Sequence, residues 1–252
     1  MNVNRLLLLA EYDFRMRLSH IFWRQIAPLV FAVLASTTAR ANDVPLRTCI
    51  APQARGQTVT EALAQPAGFI CDQKQTRLGR GDFVTELRFA PVRAAVGDQL
   101  VLRTASVWQA AARIHYRYAD GREWVLDVPA AIATKFVTIG AVLQYPVPPR
   151  DVALRSIVIE TRDSANLRGV VAGARLMPTS DANRLKMELI ALYSAFLGMA
   201  LALIVYNLSL WTALRNRFQL YYSTMVAALA AYAFSSSGLL ALAVPWIVNN
   251  DR

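Results

Sequence analysis

Residues 189–211 read LIALYSAFLGMALALIVYNLSLW, and residues 220–244 read LYYSTMVAALAAYAFSSSGLLALAV; neither stretch contains Asp, Glu, Lys or Arg. A helix needs roughly twenty such residues to span the hydrocarbon core of a bilayer. We therefore expect two transmembrane helices joined by a short loop at residues 212–219, with residues 245–252 beyond the second helix. The lipid bilayer is the first partner that the sequence predicts.

The amino-terminal segment, residues 1–41, has the pattern of a signal peptide. Arginines precede a short apolar run at residues 26–36, which is too short to span a bilayer. Ala39 and Ala41 occupy the small-residue positions that a signal peptidase needs, so cleavage is expected before Asn42. Because Glu11 and Asp13 are unusual ahead of such a run, we also consider Met16 as the true translation start.

Residues 42–183 are predicted to form an exported all-β sandwich. Apolar and polar side chains alternate along residues 83–89, as they do in a half-buried strand. Residues 134–143 are predicted to form a further strand of the same kind. Short runs at regular spacing, without a long helical period, favour an antiparallel sandwich. The predicted fold class is this sandwich followed by an α-helical transmembrane hairpin.

Both cysteines, Cys49 and Cys71, lie in the segment that is expected to be exported. In an oxidising compartment such a pair usually forms a disulfide, which would stabilise the domain by roughly 3 kcal/mol. The sequence has no histidine near them and no Cys-x-x-Cys arrangement, so we expect no metal site and no redox activity.

Two alternating runs flank Asp120-Gly121, which predicts a β-hairpin with these two residues as its turn. That register pairs Arg117 with Trp124 and His115 with Leu126. It would place His115, Arg117 and Trp124 on one face, where an aromatic ring and charged groups could bind a sugar or an anion. The alternative is an ordinary exposed sheet face. The candidate ligand-binding residues are Trp108, His115, Arg117 and Trp124.

Within the first apolar stretch, Gly198 belongs to a row of small residues suited to close helix packing. Asn207 is the one strongly polar side chain there, and we expect it to bond to another helix. If residues 42–183 are exported, the 212–219 loop with Arg215 and Arg217 lies in the cytoplasm, as the positive-inside tendency prefers. The expected location is the bacterial inner membrane, with the β domain in the periplasm.

The helical segment resembles the start of a bacterial receptor family, the seven-transmembrane receptors with diverse intracellular signalling modules. The matching positions are Phe196, Gly198, Tyr206, Asn207, Tyr221 and Tyr222. The resemblance implies that an exported, jelly-roll-like domain similar to carbohydrate-binding modules precedes seven helices. It also implies a cytoplasmic output such as a GGDEF diguanylate cyclase or a histidine kinase. Relative to that plan, this chain is expected to be a fragment, a truncated reading frame or a short protein with the receptor front end.

These observations predict the sensory front end of a membrane signalling receptor that binds an unknown periplasmic ligand, with a carbohydrate as one candidate. A homodimer is a further expected assembly. The alternative is a membrane-anchored carbohydrate-binding or envelope assembly module without signalling. The net charge of +10 is spread along the chain, so no nucleic-acid partner is expected. We expect no catalytic residues, no enzyme activity and no cofactor, because the sequence lacks the common catalytic motifs.

Overall fold

The computed structural model describes residues 43–71, 75–94, 97–107, 109–165 and 169–244. The predicted signal peptide and cleavage site, the candidate ligand residue Trp108 and the expected end segment 245–252 lie outside the described residues. The described part consists of a β domain, residues 43–178, followed by helices. The strands are β1 (Arg47–Pro52), β2 (Ile70–Cys71), β3 (Gly81–Val92), β4 (Leu100–Thr104), β5 (Ala111–Tyr118), β6 (Glu123–Val128), β7 (Val137–Thr138), β8 (Val142–Pro146), β9 (Leu154–Ser164) and β10 (Arg175–Pro178). The helices are α1 (Val59–Leu63), α2 (Ala130–Ala133), α3 (Thr179–Leu214), α4 (Arg217–Ser236) and α5 (Leu239–Ala243).

The β domain is built from two antiparallel sheets, which confirms the predicted sandwich. One has the strand order β2-β1-β3-β9-β5-β6, and the other has the order β10-β4-β8-β7. Apolar side chains from both sheets form a common core, for example Leu87 and Ile157 from the first sheet and Leu102 and Tyr145 from the second. Since alternate residues of a strand point to opposite faces, the other side of each strand is left for polar side chains or for covering helices.

The single strand predicted at residues 134–143 is wrong. The chain there has a short helical turn, then β7, a turn at residues 139–141 and then β8, which pairs back with β7. Gly140 and Ala141 both have positive φ angles, of 90° and 52°, which a continuous strand cannot accommodate. The strand prediction therefore missed the turn between β7 and β8.

The predicted Cys49–Cys71 disulfide is present, and its two residues are opposite each other on β1 and β2. The bond closes a loop that contains α1. This helix places Val59 and Ala62 over Val84 and Val158, and so covers part of the outer face of the six-stranded sheet. Thr58 and Glu61 form a capping box at its start, which explains why so short a helix forms here.

Helix α3 continues from the β domain without a linker, because it begins at the residue after β10. Its first turn is capped from a distant part of the chain: the backbone N–H of Ser180 donates to Oδ1 of Asp98 over 3.2 Å, and the Ser180 hydroxyl donates to the same carboxylate. The N–H of Thr179 donates to the carbonyl of Gln99 over 2.7 Å. Ala182 is packed against Val101 of the four-stranded sheet. The first turn of α3 is therefore fixed to the β domain by hydrogen bonds and by packing.

Among the described residues, α3 is the one helix that is long and apolar enough to span a membrane. The loop predicted at residues 212–219 is reduced to Arg215 and Asn216, and Asn216 accepts the N–H of Phe218 to cap α4. The helix predicted over residues 220–244 is interrupted: α4 ends at Ser236, and α5 begins at Leu239 after Gly238, whose φ is 79°. The second predicted helix is therefore not continuous: a turn at Ser237 and Gly238 divides it into α4 and α5.

The two residues predicted to pack the helices differ in their surroundings. Asn207 is 7% exposed, but its side-chain amide donates to the carbonyl of Leu203 in the same helix over 2.7 Å. The expected bond from Asn207 to another helix is therefore not formed within the described part of the chain. Gly198 is exposed, and a Cβ atom at this position would have no neighbour within 4 Å. Its role in helix packing stays a prediction.

Candidate functional site

The β5–β6 hairpin has a three-residue turn, and this shifts the register by one position from the one expected. The N–H of Tyr118 donates to the carbonyl of Arg122 over 3.0 Å, so Ala119 joins the turn with Asp120 and Gly121. Gly121 has a φ of 81°, the conformation that closes three-residue hairpins of this kind. The observed partners are His115 with Val125 and Tyr116 with Trp124.

The shift moves Trp124 to the face opposite His115 and Arg117, because a slip of one residue reverses every side chain of a strand. Trp124 is half-buried against the core, with its ring centroid 5.6 Å from that of Tyr116. The expected shared surface of His115, Arg117 and Trp124 is therefore wrong. His115 and Arg117 do lie together on the outer face of the six-stranded sheet.

His115 lies between two carboxylates on that outer face. Its Nδ1 atom is 2.6 Å from Oε1 of Glu123 on β6, and its Nε2 atom is 2.7 Å from Oε1 of Glu160 on β9. The Glu160 side chain is 9% exposed, whereas that of Glu123 is 38% exposed. A neutral imidazole can donate to one of the two carboxylates, and an imidazolium can donate to both. We call these three residues the His115 triad.

Arginines surround the His115 triad. Arg117 faces Glu123 with its Nε atom 3.7 Å from Oε1, which adds a cation at the more exposed end. Arg113 pairs with Asp127, with 2.5 Å between Nε and Oδ1. The hydrogen bond to Asp127 raises the pKa of Arg113, and the charge of Glu160 adds to this effect. Acidic and basic groups therefore alternate along the outer face.

Two open hollows flank the triad. The first, of about 380 Å³, includes Glu160 together with Arg113 and Arg162. The second, of about 390 Å³, includes Glu123 together with Arg117 and Arg155. Glu160 lines one hollow and Glu123 lines the other, so His115 lies between them. Volumes of this order match the lower range of small-molecule sites.

The His115 triad contains residue types that can bind metals, but their atoms bond to one another. No cluster of three or more His, Cys, Asp and Glu side chains suitable for a metal ion occurs in residues 43–71, 75–94, 97–107, 109–165 and 169–244. Both ring nitrogens of His115 are engaged by carboxylates, so neither is free to ligate a metal. The arrangement can instead bind polar groups through paired donors and acceptors.

Glu123 and Glu160 were not among the residues predicted for the site. Glu123 could have been found from the hairpin sequence, because a three-residue turn places it directly opposite Arg117. Glu160 gives no such local signal. It reaches His115 only because β9 lies between β3 and β5 in the sheet.

The long apolar helix α3 continues directly from the β domain, and a comparison with known families concerns this helical part of the chain. Residues 189–251 match the family model described as 7TM diverse intracellular signalling. The match begins where the first apolar stretch begins, and it confirms the resemblance drawn from Phe196, Gly198, Tyr206, Asn207, Tyr221 and Tyr222. Residues 189–251 are therefore similar to part of a membrane sensory receptor, and helix α3, which lies partly in this region, is long and apolar enough to span a membrane. The matched domain is sensory rather than catalytic. No curated protein matches the chain.

Proposed function

We propose that this chain is the ligand-sensing front end of a bacterial membrane signalling receptor. In this proposal the β domain lies in the periplasm, and α3 and α4 cross the inner membrane as the first helices of a larger bundle. A cytoplasmic output, such as a GGDEF diguanylate cyclase or a histidine kinase, receives the signal in the complete receptor. The observation that carries the proposal is the family match over residues 189–251.

The junction between the β domain and α3 supports a signalling role. A tether needs only a flexible linker. By contrast, α3 starts directly after β10, and its first turn is capped by Asp98, which lies in the connection between β3 and β4. Ala182 in its second turn is fully buried. A change in the sheet therefore displaces the helix directly, as coupling between a binding site and a distant element requires.

The His115 triad and its two hollows are the proposed ligand site. Arg155 and Arg162 are exposed residues of β9, and they supply further donors at the two hollows. The fitting ligand is a polar small molecule with several hydrogen-bonding groups, a carbohydrate among them. Its recognition rests on charged hydrogen bonds rather than on stacking against Trp124, which faces the core.

Thermal unfolding of the full chain in detergent, with a panel of sugars, amino acids and organic acids, tests this site. A ligand that raises the unfolding temperature of the wild type should lose most of this effect in Arg117→Ala and in Arg155→Ala. Arg80→Ala is the matched control, because Arg80 forms an exposed ion pair with Asp163 outside both hollows. Stabilisation that is equal in all four proteins would place the ligand elsewhere.

The DNA sequence after the codon for Arg252 distinguishes a signalling receptor from an anchored binding module. An extension that encodes five more helices and an output domain supports the receptor. A stop codon followed by an unrelated gene favours the anchored binding module.

A further inference from the structure

The β7–β8 turn, residues 139–141, bonds to the chain between α4 and α5. The backbone N–H groups of Gly140 and Ala141 both donate to the carbonyl of Ser237, over 2.7 Å and 3.1 Å. The last carbonyls of a helix have no partner within the helix and must find one elsewhere. Ser237 follows the last residue of α4 and is 1% exposed. The β domain thus supplies the donors that complete the end of a helix about a hundred residues later.

Gly238 makes this contact possible. Its φ of 79° lies in the left-handed region, and a Cβ atom at this position would lie 3.2 Å from both the nitrogen of Ala141 and the carbonyl oxygen of Thr138. Both neighbours are backbone atoms, which cannot move aside as a flexible side chain can. Any other residue here would be strained in its own backbone and would also push the turn away.

The same turn reaches the first helix. A Cβ atom on Gly140 would lie 3.2 Å from Cδ1 of Leu189, the residue at which the first apolar stretch begins. The turn therefore contacts α3 and the end of α4 at one level of the helical pair. Ala141 itself has a φ of 52°, a costly conformation for a residue with a side chain. Such strain persists only where the surrounding structure enforces it.

One sheet holds both helices. The four-stranded sheet has β4 and β8 as neighbours. Asp98 and Gln99, just before β4, hold the start of α3, and the turn before β8 holds the end of α4. These two attachments are joined by the ladder of hydrogen bonds between β4 and β8.

We propose that the β7–β8 turn forms a second joint between the β domain and the pair of helices α3 and α4. The turn packs directly on Gly238, and this joint sets the position of α4 relative to α3. A displacement of the four-stranded sheet then moves both helices together instead of α3 alone. The joint itself is independent of the proposed function, whereas its use in signalling rests on the sensory role proposed above.

Hydrogen exchange of the full chain in lipid nanodiscs tests the joint. In the wild type, the amides of Gly140 and Ala141 should be protected. In Gly238→Ala they should exchange about tenfold faster, because the added methyl group separates the turn from Ser237. Gly56→Ala is the matched control: Gly56 has a φ of 82°, but a Cβ atom there would have no neighbour within 4 Å. It imposes the same backbone strain without the contact.

A second readout follows the helices. Both native cysteines are in the disulfide, so spin labels can be placed at introduced cysteines, Arg122→Cys directly after the β5–β6 turn and Tyr232→Cys near the end of α4. Electron–electron double resonance should give a narrow distance distribution in the wild type and in Gly56→Ala. The distribution should broaden in Gly238→Ala.

The amides of β3 report whether the β domain is intact. If Gly238→Ala exposes them as well, Leu189→Ala decides, because it loosens the turn without altering its backbone. Faster exchange confined to Gly140 and Ala141 in either variant supports the joint. Unchanged exchange at these amides, or equal changes in Gly56→Ala, overturns it. This result leaves the ligand-sensing proposal untouched, and failure to find a ligand leaves the joint untouched.

Discussion

The Nε2 atom of His115 lies 2.7 Å from the carboxylate of Glu160, a side chain that is 9% exposed. A buried carboxylate that loses its partner pays its full desolvation cost. Because β9 and β5 are joined here on the outer face, the pair also ties together two central strands of the six-stranded sheet.

We expect His115→Ala to lower the free energy of unfolding by about 1–3 kcal/mol, because it removes the hydrogen-bond partner of the Glu160 carboxylate. Glu123→Gln removes the charge at the exposed end of the triad and should cost less than about 1 kcal/mol. Urea denaturation of the full chain in detergent, followed by tryptophan fluorescence, measures both. Glu160→Gln is measured in the same way, and the double variant His115→Ala/Glu160→Gln should lose less stability than the sum of the losses in His115→Ala and in Glu160→Gln. Additive losses would show that the two residues do not interact.

The hairpin register predicts a large loss of stability at one residue and a small change at the residue next to it. Trp124→Ala removes a ring packed against Tyr116 and should destabilise the domain by about 3 kcal/mol. Val125→Thr lies on the outer face, where Val125 is 41% exposed, and should change the stability by less than about 0.5 kcal/mol. The reverse order of effects in denaturation experiments would restore the register with Asp120-Gly121 as a two-residue turn.

Removal of the disulfide should loosen the outer covering of the six-stranded sheet. The double variant Cys49→Ala/Cys71→Ala should lose about 3 kcal/mol, since the loop between the cysteines is no longer closed in the unfolded chain. A reducing agent should lower the unfolding temperature of the wild type and leave that of the double variant unchanged. A wild type that is insensitive to reduction would contradict a stabilising role for the bond.

Asp98 should be required for an ordered start of α3. We expect Asp98→Ala to cost about 1 kcal/mol and to speed exchange at the amide of Ser180, because the cap is lost. Asp98→Asn keeps an acceptor oxygen in place, so it should retain most of the protection. If the alanine and asparagine variants exchange alike, the carboxylate does not cap the helix.

Buried tyrosines predict an alkaline limit of stability. Burial raises the pKa of Tyr116 above its ordinary value near 10, and the Tyr116 hydroxyl has no hydrogen-bond partner among the residues that the structure places. Above about pH 10 the unfolded chain ionises this phenol and the folded chain does not, so stability falls as the pH rises.

Tyr116→Phe should therefore leave stability at neutral pH unchanged or slightly higher, and should weaken the loss above pH 10. Unfolding midpoints measured from pH 7 to pH 11 check this, with phenolate absorbance recorded in parallel. A decline that is as steep in the variant as in the wild type would assign the alkaline effect to other groups.

The sequence predicted what depends on local pattern. Alternation revealed the strands of the sandwich, and the cysteine pair revealed the disulfide. The register of the β5–β6 hairpin was missed because Asp120-Gly121 is compatible with turns of two or three residues, and the bond from Tyr118 to Arg122 chooses the longer one. Because the turn has three residues, the residue opposite Arg117 is Glu123 and not Trp124.

Other features depend on contacts between distant residues and could not be predicted locally. Glu160 joins His115 only through the strand order of the sheet. The apolar character of residues 220–244 continues across Ser237 and Gly238, so hydropathy predicted one helix there. The interruption becomes intelligible only beside Gly140 and Ala141, which bond to Ser237.

Helix α3 has 36 residues, which corresponds to a rod about 54 Å long. It leaves the sandwich already capped and continues into the apolar stretch without a proline or glycine before Gly198. Each residue added between Asp181 and Glu188 would turn everything beyond it by about 100° relative to the β domain. Single-residue insertions would therefore change the facing of the helix, whereas a seven-residue insertion would nearly restore it. The rotation of α3 about its own axis, and not only its length, therefore fixes how its membrane-facing part is oriented relative to the β domain.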